Sequence, residues 1–243
     1  MKKIIAVIQA RLGSKRLPNK ALMTIQDKAI LEMCIERVSV SICSRIVVAT
    51  TVEKKDDPIV EFCAKSSTAV FRGDENDVLG RFFNCIKEEK NCIIVRITSD
   101  NPLIHRDVID FVVTHHIKSC NSVTNSYFSK SFPNGTIISV INSDALKYLN
   151  ENFFEKEIRE HFVFGFAKLP ERFKVENIVA PPKWHRPDIR YCLDYKEDLV
   201  LLQKVVLNLG FSADKPSTEE IISFIDKNPE VKGINYKYAE KEY

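Results

Sequence analysis

The sequence predicts an α/β fold of Rossmann-like, three-layer type, with a mostly parallel central sheet and a small sheet extension. Three observations carry that expectation. Lys3 to Ala10 is a nearly continuous apolar run, the pattern of a strand buried on both faces of a parallel sheet. From there to His116, short apolar strands alternate with stretches of helical periodicity. After Ser122 the alternation gives way to short strands joined by loops. A chain of 243 residues suits one domain closing a single core. With no repeat and no linker, residues 1–243 read as one domain, and about 122–190 as an extension within it.

The elements follow in order. Ala29 to Val38 repeats apolar residues at helical spacing (Ile30, Met33, Cys34, Val38). Ile46 to Thr50 is the second strand. Asp56 to Ser66 is helical, with Pro58 in the first turn, where its missing N–H costs little. Ala69 to Phe71 is a short third strand, Asp77 to Glu89 an amphipathic helix, and Cys92 to Ile97 the fourth strand, ending at Thr98-Ser99-Asp100. Arg106 to His116 is the next helix.

In the second half, Ser122 to Asn125 and Thr136 to Ile141 read as strands joined by Pro133-Asn134-Gly135. Glu155 to Phe166 reads as helix, Arg172 to Ala180 as extended chain, and Arg190 to Asp194 as a further strand. Lys196 to Leu209 is an amphipathic helix stopped by Gly210. Ser217 to Asn228 opens on a Ser-x-x-Glu capping box. The stretch from Asp226 to Tyr243, charged and aromatic, reads as a packed tail or a subunit contact.

The bulk composition narrows the function. A formal charge of +3 is too small for general nucleic-acid binding, so any anionic ligand must be held by local charge. No apolar run reaches the ~18 residues of a membrane span. The amino terminus has no h-region and no small-residue cleavage site, and reads as a strand of a cytoplasmic protein. The seven cysteines are scattered without a Cys-x-x-Cys pair, which predicts reduced thiols; Cys63, Cys85 and Cys192 fall in apolar stretches. His115-His116 lacks further ligands at metal spacing and reads as a partly exposed pair.

Ligands of open α/β sheets sit beyond the carboxyl ends of the strands. The loop at the end of the first strand offers Arg11, Lys15, Arg16 and Lys20, with Gly13 and Ser14 letting the backbone approach a ligand. Four cations within ten residues suit a polyphosphate. The loop is neither a P-loop, lacking Gly-x-x-x-x-Gly-Lys-Ser/Thr, nor a dinucleotide fingerprint, lacking Gly-x-Gly-x-x-Gly.

The residue order says more. Ile8 to Leu22, IQARLGSKRLPNKAL, closely resembles the opening signature of the bacterial cytidylyltransferases. That family includes the SpsF-type spore-coat polysaccharide proteins and, more distantly, the 3-deoxy-manno-octulosonate and acylneuraminate cytidylyltransferases. Further segments resemble the family in the same order: Phe71-Arg72-Gly73-Asp74 with Asp77 to Arg81, Arg96 to Ile104, Arg159-Glu160-His161, and Asp194 to Leu199. The resemblance covers roughly residues 3 to 202; the remaining ~40 match nothing in it.

The resemblance implies a nucleotidyltransferase fold that dimerises through the extension. It also implies a loop that wraps the triphosphate of CTP and the departing pyrophosphate. It assigns nucleotide contacts to Ala10, Arg11, Gly13, Ser14, Lys15, Arg16, Lys20, Arg72, Asp77 and Thr98, with Arg11, Lys20 and Asp100 the catalytic residues. Asp100 and Asp194 lie at separate strand ends ahead of turns. Mg²⁺ is a hard cation that takes one or two carboxylates and completes its shell with phosphates and water, so this pair is the expected metal site. Attack on an α-phosphorus needs such charge stabilisation and no covalent enzyme intermediate.

The chain departs from the family in one segment. SpsF-type members commonly read P-D-G-x-D-x-E-x-F where this chain has Pro133-Asn134-Gly135-Thr136-Ile137-Ile138-Ser139-Val140-Ile141. Ile137 and Ser139 thus stand at two acidic positions, and Asn134 at a third. Their loss favours a small anionic acceptor, a sugar acid or a phosphomonoester, although an ordinary strand with a buried face accounts for the sequence equally well. His161, Arg186 and Arg190 are the candidate acceptor contacts. Lys183 to Arg186 could close over the acceptor, and Trp184 is equally a core or interface residue. Two other readings compete with CMP transfer for surface polysaccharide synthesis. A nucleotide-sugar-dependent glycosyltransferase of GT-A-like topology would usually carry Asp-x-Asp, and Ser99-Asp100-Asn101 lacks the second Asp. A non-catalytic nucleotide-binding subunit is favoured only by the lost acidic pair.

Overall fold

The computed structural model describes residues 2–239. The first half holds β1 (Ile4–Gln9), a hairpin of β2 (Thr24–Ile25) and β3 (Lys28–Ala29), and α1 (Ile30–Ser39). Then come β4 (Arg45–Thr51), α2 (Asp57–Lys65), β5 (Ala69–Gly73), α3 (Val78–Ile86), β6 (Ile93–Thr98) and α4 (Arg106–Lys118). The second half holds β7 (Val123–Asn125), β8 (Ser139–Asn142), α5 (Ser143–Asn152), α6 (Lys156–Glu160), α7 (Phe162–Ala167) and β9 (Val175–Asn177). The described chain closes with α8 (Lys196–Leu209), α9 (Thr218–Lys227), α10 (Pro229–Gly233) and α11 (Tyr236–Ala239).

One seven-stranded sheet runs in the order β5-β4-β1-β6-β8-β7-β9. The first four strands are parallel, with Val7 of β1 facing Val47 of β4 on one side and Arg96 of β6 on the other. β8 turns antiparallel to β6 and β7, and β9 rejoins parallel to β7. The extension is therefore a continuation of the central sheet, and the small separate sheet is the β2-β3 hairpin.

Alternation along β1 explains the three layers. Ile4, Ala6 and Ile8 pack with α1, α2, α4, α8 and α9, whereas Ile5 and Val7 pack with α3, α5, α6 and α7. Every one of these positions is apolar because both faces are covered.

The α3 N-terminus is capped by Asp77, which accepts the Gly80 N–H at 2.8 Å. The predicted capping box of α9 forms, Ser217 and Glu220 exchanging bonds at 2.7 and 3.2 Å. Gly210 ends α8 with φ +73°.

Four expectations are corrected. The predicted helix over 155–166 is broken at His161 into α6 and α7. The extended stretch 172–180 pairs only over β9. Arg190 to Asp194 forms no strand: it makes a single bridge, between Asn134 and Arg190, and its Tyr191 and Leu193 N–H groups go to Asn134 and Asp100 carbonyls. Its buried apolar run (Tyr191, Cys192, Leu193) mimics a central strand. His116 is buried, not exposed, and sits between Thr124 and Asn142.

All seven cysteines are free thiols. Among the described residues, no helix is long and apolar enough to cross a membrane.

Candidate active site

The carboxyl ends of β1 and β6 open into a cavity of about 680 Å³ lined by Gln9, Arg11, Gly13, Ser14, Lys15, Arg16, Lys20, Glu75, Asn76, Thr98, Ser99, Asp100, Glu160 and Asp194. The loop after β1 supplies six of those fourteen residues. Its shape follows from two apolar pins, because Leu12 and Leu17 are buried and force the residues between them outward. The Leu12 N–H is held by Asp56 Oδ1 at 2.7 Å, and Asp56, itself buried, also accepts from the Thr51 hydroxyl. The loop closes where Asn19, at φ +60°, donates its N–H to the Leu12 carbonyl at 3.0 Å. Gly13 to Arg16 thus form an arch over the strand ends. Glu75 faces the arch from the β5–α3 turn, 3.8 Å from Arg11 and 2.7 Å from Lys55.

Lys20 crosses the floor of the cavity. Its ammonium donates to Asp100 Oδ2 at 2.6 Å, to Asp194 Oδ1 at 2.8 Å and to the Leu193 carbonyl at 2.9 Å. Burial alone would lower the Lys20 pKa, but the two carboxylates outweigh it and hold it above its ordinary value. Burial likewise pushes the Asp194 carboxyl up, and Lys20, Arg16 and Arg190 more than reverse that. Both groups are therefore charged at neutral pH.

Asp194 is braced from behind. Arg190, fully buried, donates to Asp194 Oδ2 at 3.0 Å and to both oxygens of Asp198 at 3.1 Å. Asp198 caps α8 by accepting the N–H groups of Asp194 and Tyr195 at 2.8 and 2.9 Å. Asn235, just ahead of α11, reaches Asp198 Oδ1 at 2.7 Å and the Arg190 carbonyl at 3.1 Å. Tyr195 stacks on Tyr238 with centroids 3.7 Å apart, while Arg16 donates to its hydroxyl at 3.3 Å.

Two carboxylates that converge on one ammonium present the hard-oxygen pair that suits Mg²⁺. Among the described residues no group of three or more His, Cys, Asp and Glu stands at metal distance, so such an ion would take further oxygens from a substrate.

The structure brings together Arg11, Gly13, Ser14, Lys15, Arg16, Lys20, Thr98, Asp100 and Asp194. It sets the other candidates apart. Ala10 is buried, with its N–H bonded to the Ala49 carbonyl. Arg72 is engaged by the carbonyls of Thr51 and Glu53 at 2.8 and 3.1 Å and by Asp57 at 2.7 Å. Asp77 has both oxygens taken by the Arg159 fork, one at 2.7 Å. His161 is exposed at the α6–α7 break against Phe164, while its neighbour Glu160 lines the cavity. Arg186 pairs with Asp188 and Asp226, away from the cleft. Arg190 has no exposed surface and acts through Asp194. Trp184 is a core residue, edge-on to Phe111 at 5.5 Å.

Sequence reasoning missed Gln9, whose buried Oε1 has no partner among the described residues, and the acidic Glu75 and Glu160. It also missed Asp198. Gln9 is marked as the polar end of an apolar strand, and Glu160 and Asp198 fall within segments that resemble the family; Glu75 carries no such mark.

Residues 5–221 match a family model described as Cytidylyltransferase. An uncharacterized protein of Methanocaldococcus jannaschii is 39% identical, the match covering 99% of this chain and 98% of that protein. The spore coat polysaccharide biosynthesis protein SpsF of Bacillus subtilis is 29% identical, over 95% of this chain and 97% of its own length. Among solved structures, a cytidylyltransferase from Leptospira borgpetersenii superposes with a TM-score of 0.87 at 30% identity, over 95% of this chain and 97% of that one.

Proposed function

Since the chain belongs to the cytidylyltransferase family, we propose that it transfers CMP from CTP to a sugar acid or phosphomonoester, releasing pyrophosphate, for surface polysaccharide synthesis. The observation that carries this reading is the convergence of Lys20, Asp100 and Asp194 beneath the basic arch of Gly13 to Arg16. A cavity walled by four cations offsets a triphosphate, and the two carboxylates beside it suit a Mg²⁺ bound with that triphosphate.

The acceptor oxygen attacks the α-phosphorus in line as its bond to pyrophosphate breaks. Arg11, Lys15 and Arg16 hold the departing oxygens and Lys20 keeps the two carboxylates together, so the protein contributes position and preorganised charge. Bound at Asp100 and Asp194, Mg²⁺ would neutralise charge building on the phosphate oxygens. Arg190, Asp198 and Asn235 keep Asp194 in place throughout.

The reading includes a homodimer and a cytoplasmic location. An aromatic patch on the extension, where exposed Tyr127 and Phe164 meet Phe128, favours a subunit contact. Seven free thiols suit a reducing compartment. Pyrophosphate release with Mg²⁺ and each nucleoside triphosphate, alone and with pools of acceptors, tests the reaction. Release is expected from CTP with an anionic acceptor. Exclusive use of a neutral sugar hydroxyl, or of another triphosphate, would overturn it. Sedimentation of the full chain tests the dimer.

A further inference from the structure

A second cavity, of about 480 Å³, opens beside the first and shares its wall of Thr98, Asp100 and Asp194. Arg96, Tyr127 and Ile137 line its far side. Arg96 sits in the middle of β6, on the sheet face covered by α3 and α5 to α7. Its guanidinium lies over the Phe162 ring, 6.0 Å from the centroid. Among the described residues it has no hydrogen bond and no ion pair, and its Nε is fully buried. Across the ladder it faces Ser139 of β8, which carries no charge, and Ile137 adds only apolar surface. Asp100, the carboxylate whose charge reaches it, is already held by Lys20 at 2.6 Å.

We propose that this second cavity receives the acceptor, and that Arg96 pairs there with a carboxylate or phosphate group on it. The proposal rests on the reading of the first cavity as the CTP site, since Asp100 and Asp194 then stand between nucleotide and acceptor. Arg96 is half-buried: its Nε is enclosed without a partner while its terminal nitrogens reach the cavity, and the flat face of Phe162 offsets only part of the cost of enclosing that charge without a counter-charge. An oxyanion entering the cavity restores what burial removed, through the paired N–H geometry peculiar to arginine. A neutral polyol leaves the guanidinium unmatched. Arg96 is thus a specificity-determining residue, and the cavity's apolar wall at Ile137 keeps a competing carboxylate away from it.

Calorimetric binding of three probes to the full chain, in the presence of CMP and Mg²⁺, tests this. The probes are D-gluconate, glycerol 1-phosphate and the neutral polyol D-glucitol. At least one anion is expected to bind where glucitol does not, and the comparison of the two anions separates carboxylate from phosphate recognition. Arg96→Met should weaken anion binding at least tenfold, with Arg96→Lys retaining part of it. Ile137→Glu, which brings a carboxylate to Arg96, should weaken it similarly. Should Arg96→Met fail to fold, Arg96→Lys and Ile137→Glu carry the test. The proposal is overturned if the variants bind the anions as tightly as the parent protein, if glucitol is preferred, or if no probe binds. CTP affinity, measured on the same proteins, should stay within about twofold of the parent. Its absence from the parent protein would instead remove the reading of the first cavity, while the anion titrations still judge Arg96.

Discussion

Lys20 stands 2.6 Å from Asp100, and the same ammonium reaches Asp194 at 2.8 Å, so one cation holds two carboxylates from distant parts of the chain together. Without it the pair would face each other with only Arg16 and Arg190 to offset Asp194, and nothing comparable for Asp100. Lys20→Met is therefore expected to lower kcat/KM for CTP by about 10²–10³-fold, the usual scale for losing one preorganised charge contact. Steady-state pyrophosphate release measures it; a loss below fivefold would remove Lys20 from the machinery.

Asp198 has no exposed surface and serves three kinds of partner at once: Arg190, Asn235 and the backbone N–H groups of Asp194 and Tyr195 that lead into α8. Asp198→Ala leaves Arg190 buried with half its counter-charge and the helix uncapped. It should cost about 3–5 kcal/mol of stability, as breaking a buried pair does. Urea denaturation reads the change, and an effect below about 1 kcal/mol would mean the network is slack.

Gly135 adopts φ +123°, where a Cβ would stand 2.6 Å from the Tyr191 ring. Gly135→Ala meets both backbone strain and that clash, and should lower stability by about 1–3 kcal/mol. Because Tyr191 leads into Asp194, turnover should fall with it. Thermal unfolding and kcat, measured together, check the link.

Stability should depend on pH through the same cluster. The Asp194 pKa is depressed in the folded state, so its contribution is present above the ordinary value of 3.8 and lost as pH falls through the folded value below it. The Lys20 pKa is raised, so its contribution is present below 10.5 and lost as pH rises through the folded value above that. The stability gap between the parent protein and Asp194→Asn should be flat from about pH 5 to pH 9 and shrink in acid. A gap that stays constant down to pH 2 would contradict it.

Asp77 and Arg159 lie far apart in sequence and form a two-pronged ion pair that ties α6 to the start of α3. The turn they secure carries Glu75 and Asn76 into the cleft. A double-mutant cycle on Asp77→Ala and Arg159→Ala should return a coupling of about 0.5–3 kcal/mol, with KM for CTP changing more than kcat. Strict additivity would mean the two act separately.

The basic loop was legible because its four cations and two flanking leucines lie within ten residues, and local pattern is what a single sequence displays. The parallel core was legible for the same reason, β1 and the middle of β4 being apolar runs, with β6 apolar apart from Arg96. What escaped was pairing at a distance. Arg186 and Arg190 look alike as charges in sequence, yet Asp226 and Asp188 neutralise one on the surface, while Asp198 and Asp194 hold the other, fully buried, behind the cleft. The run from Tyr191 to Leu193 has the composition of a strand, but its N–H groups are spent on a loop and on Asp100. α5 was missed between two better-marked elements, since only Ala145, Leu146 and Leu149 mark its buried face.

The stacking of Tyr195 on Tyr238, with Asn235 gripping Asp198, has a consequence in time. The basic arch is complete once α2 has been synthesised, because Asp56 pins it. Asp194 and the residues that brace it come more than a hundred positions later. A nascent chain released before residue 235 can display the cations without the braced carboxylate. Translation thus delivers the grip on an anion first, and the brace behind Asp194 only when Asn235 and Tyr238 follow.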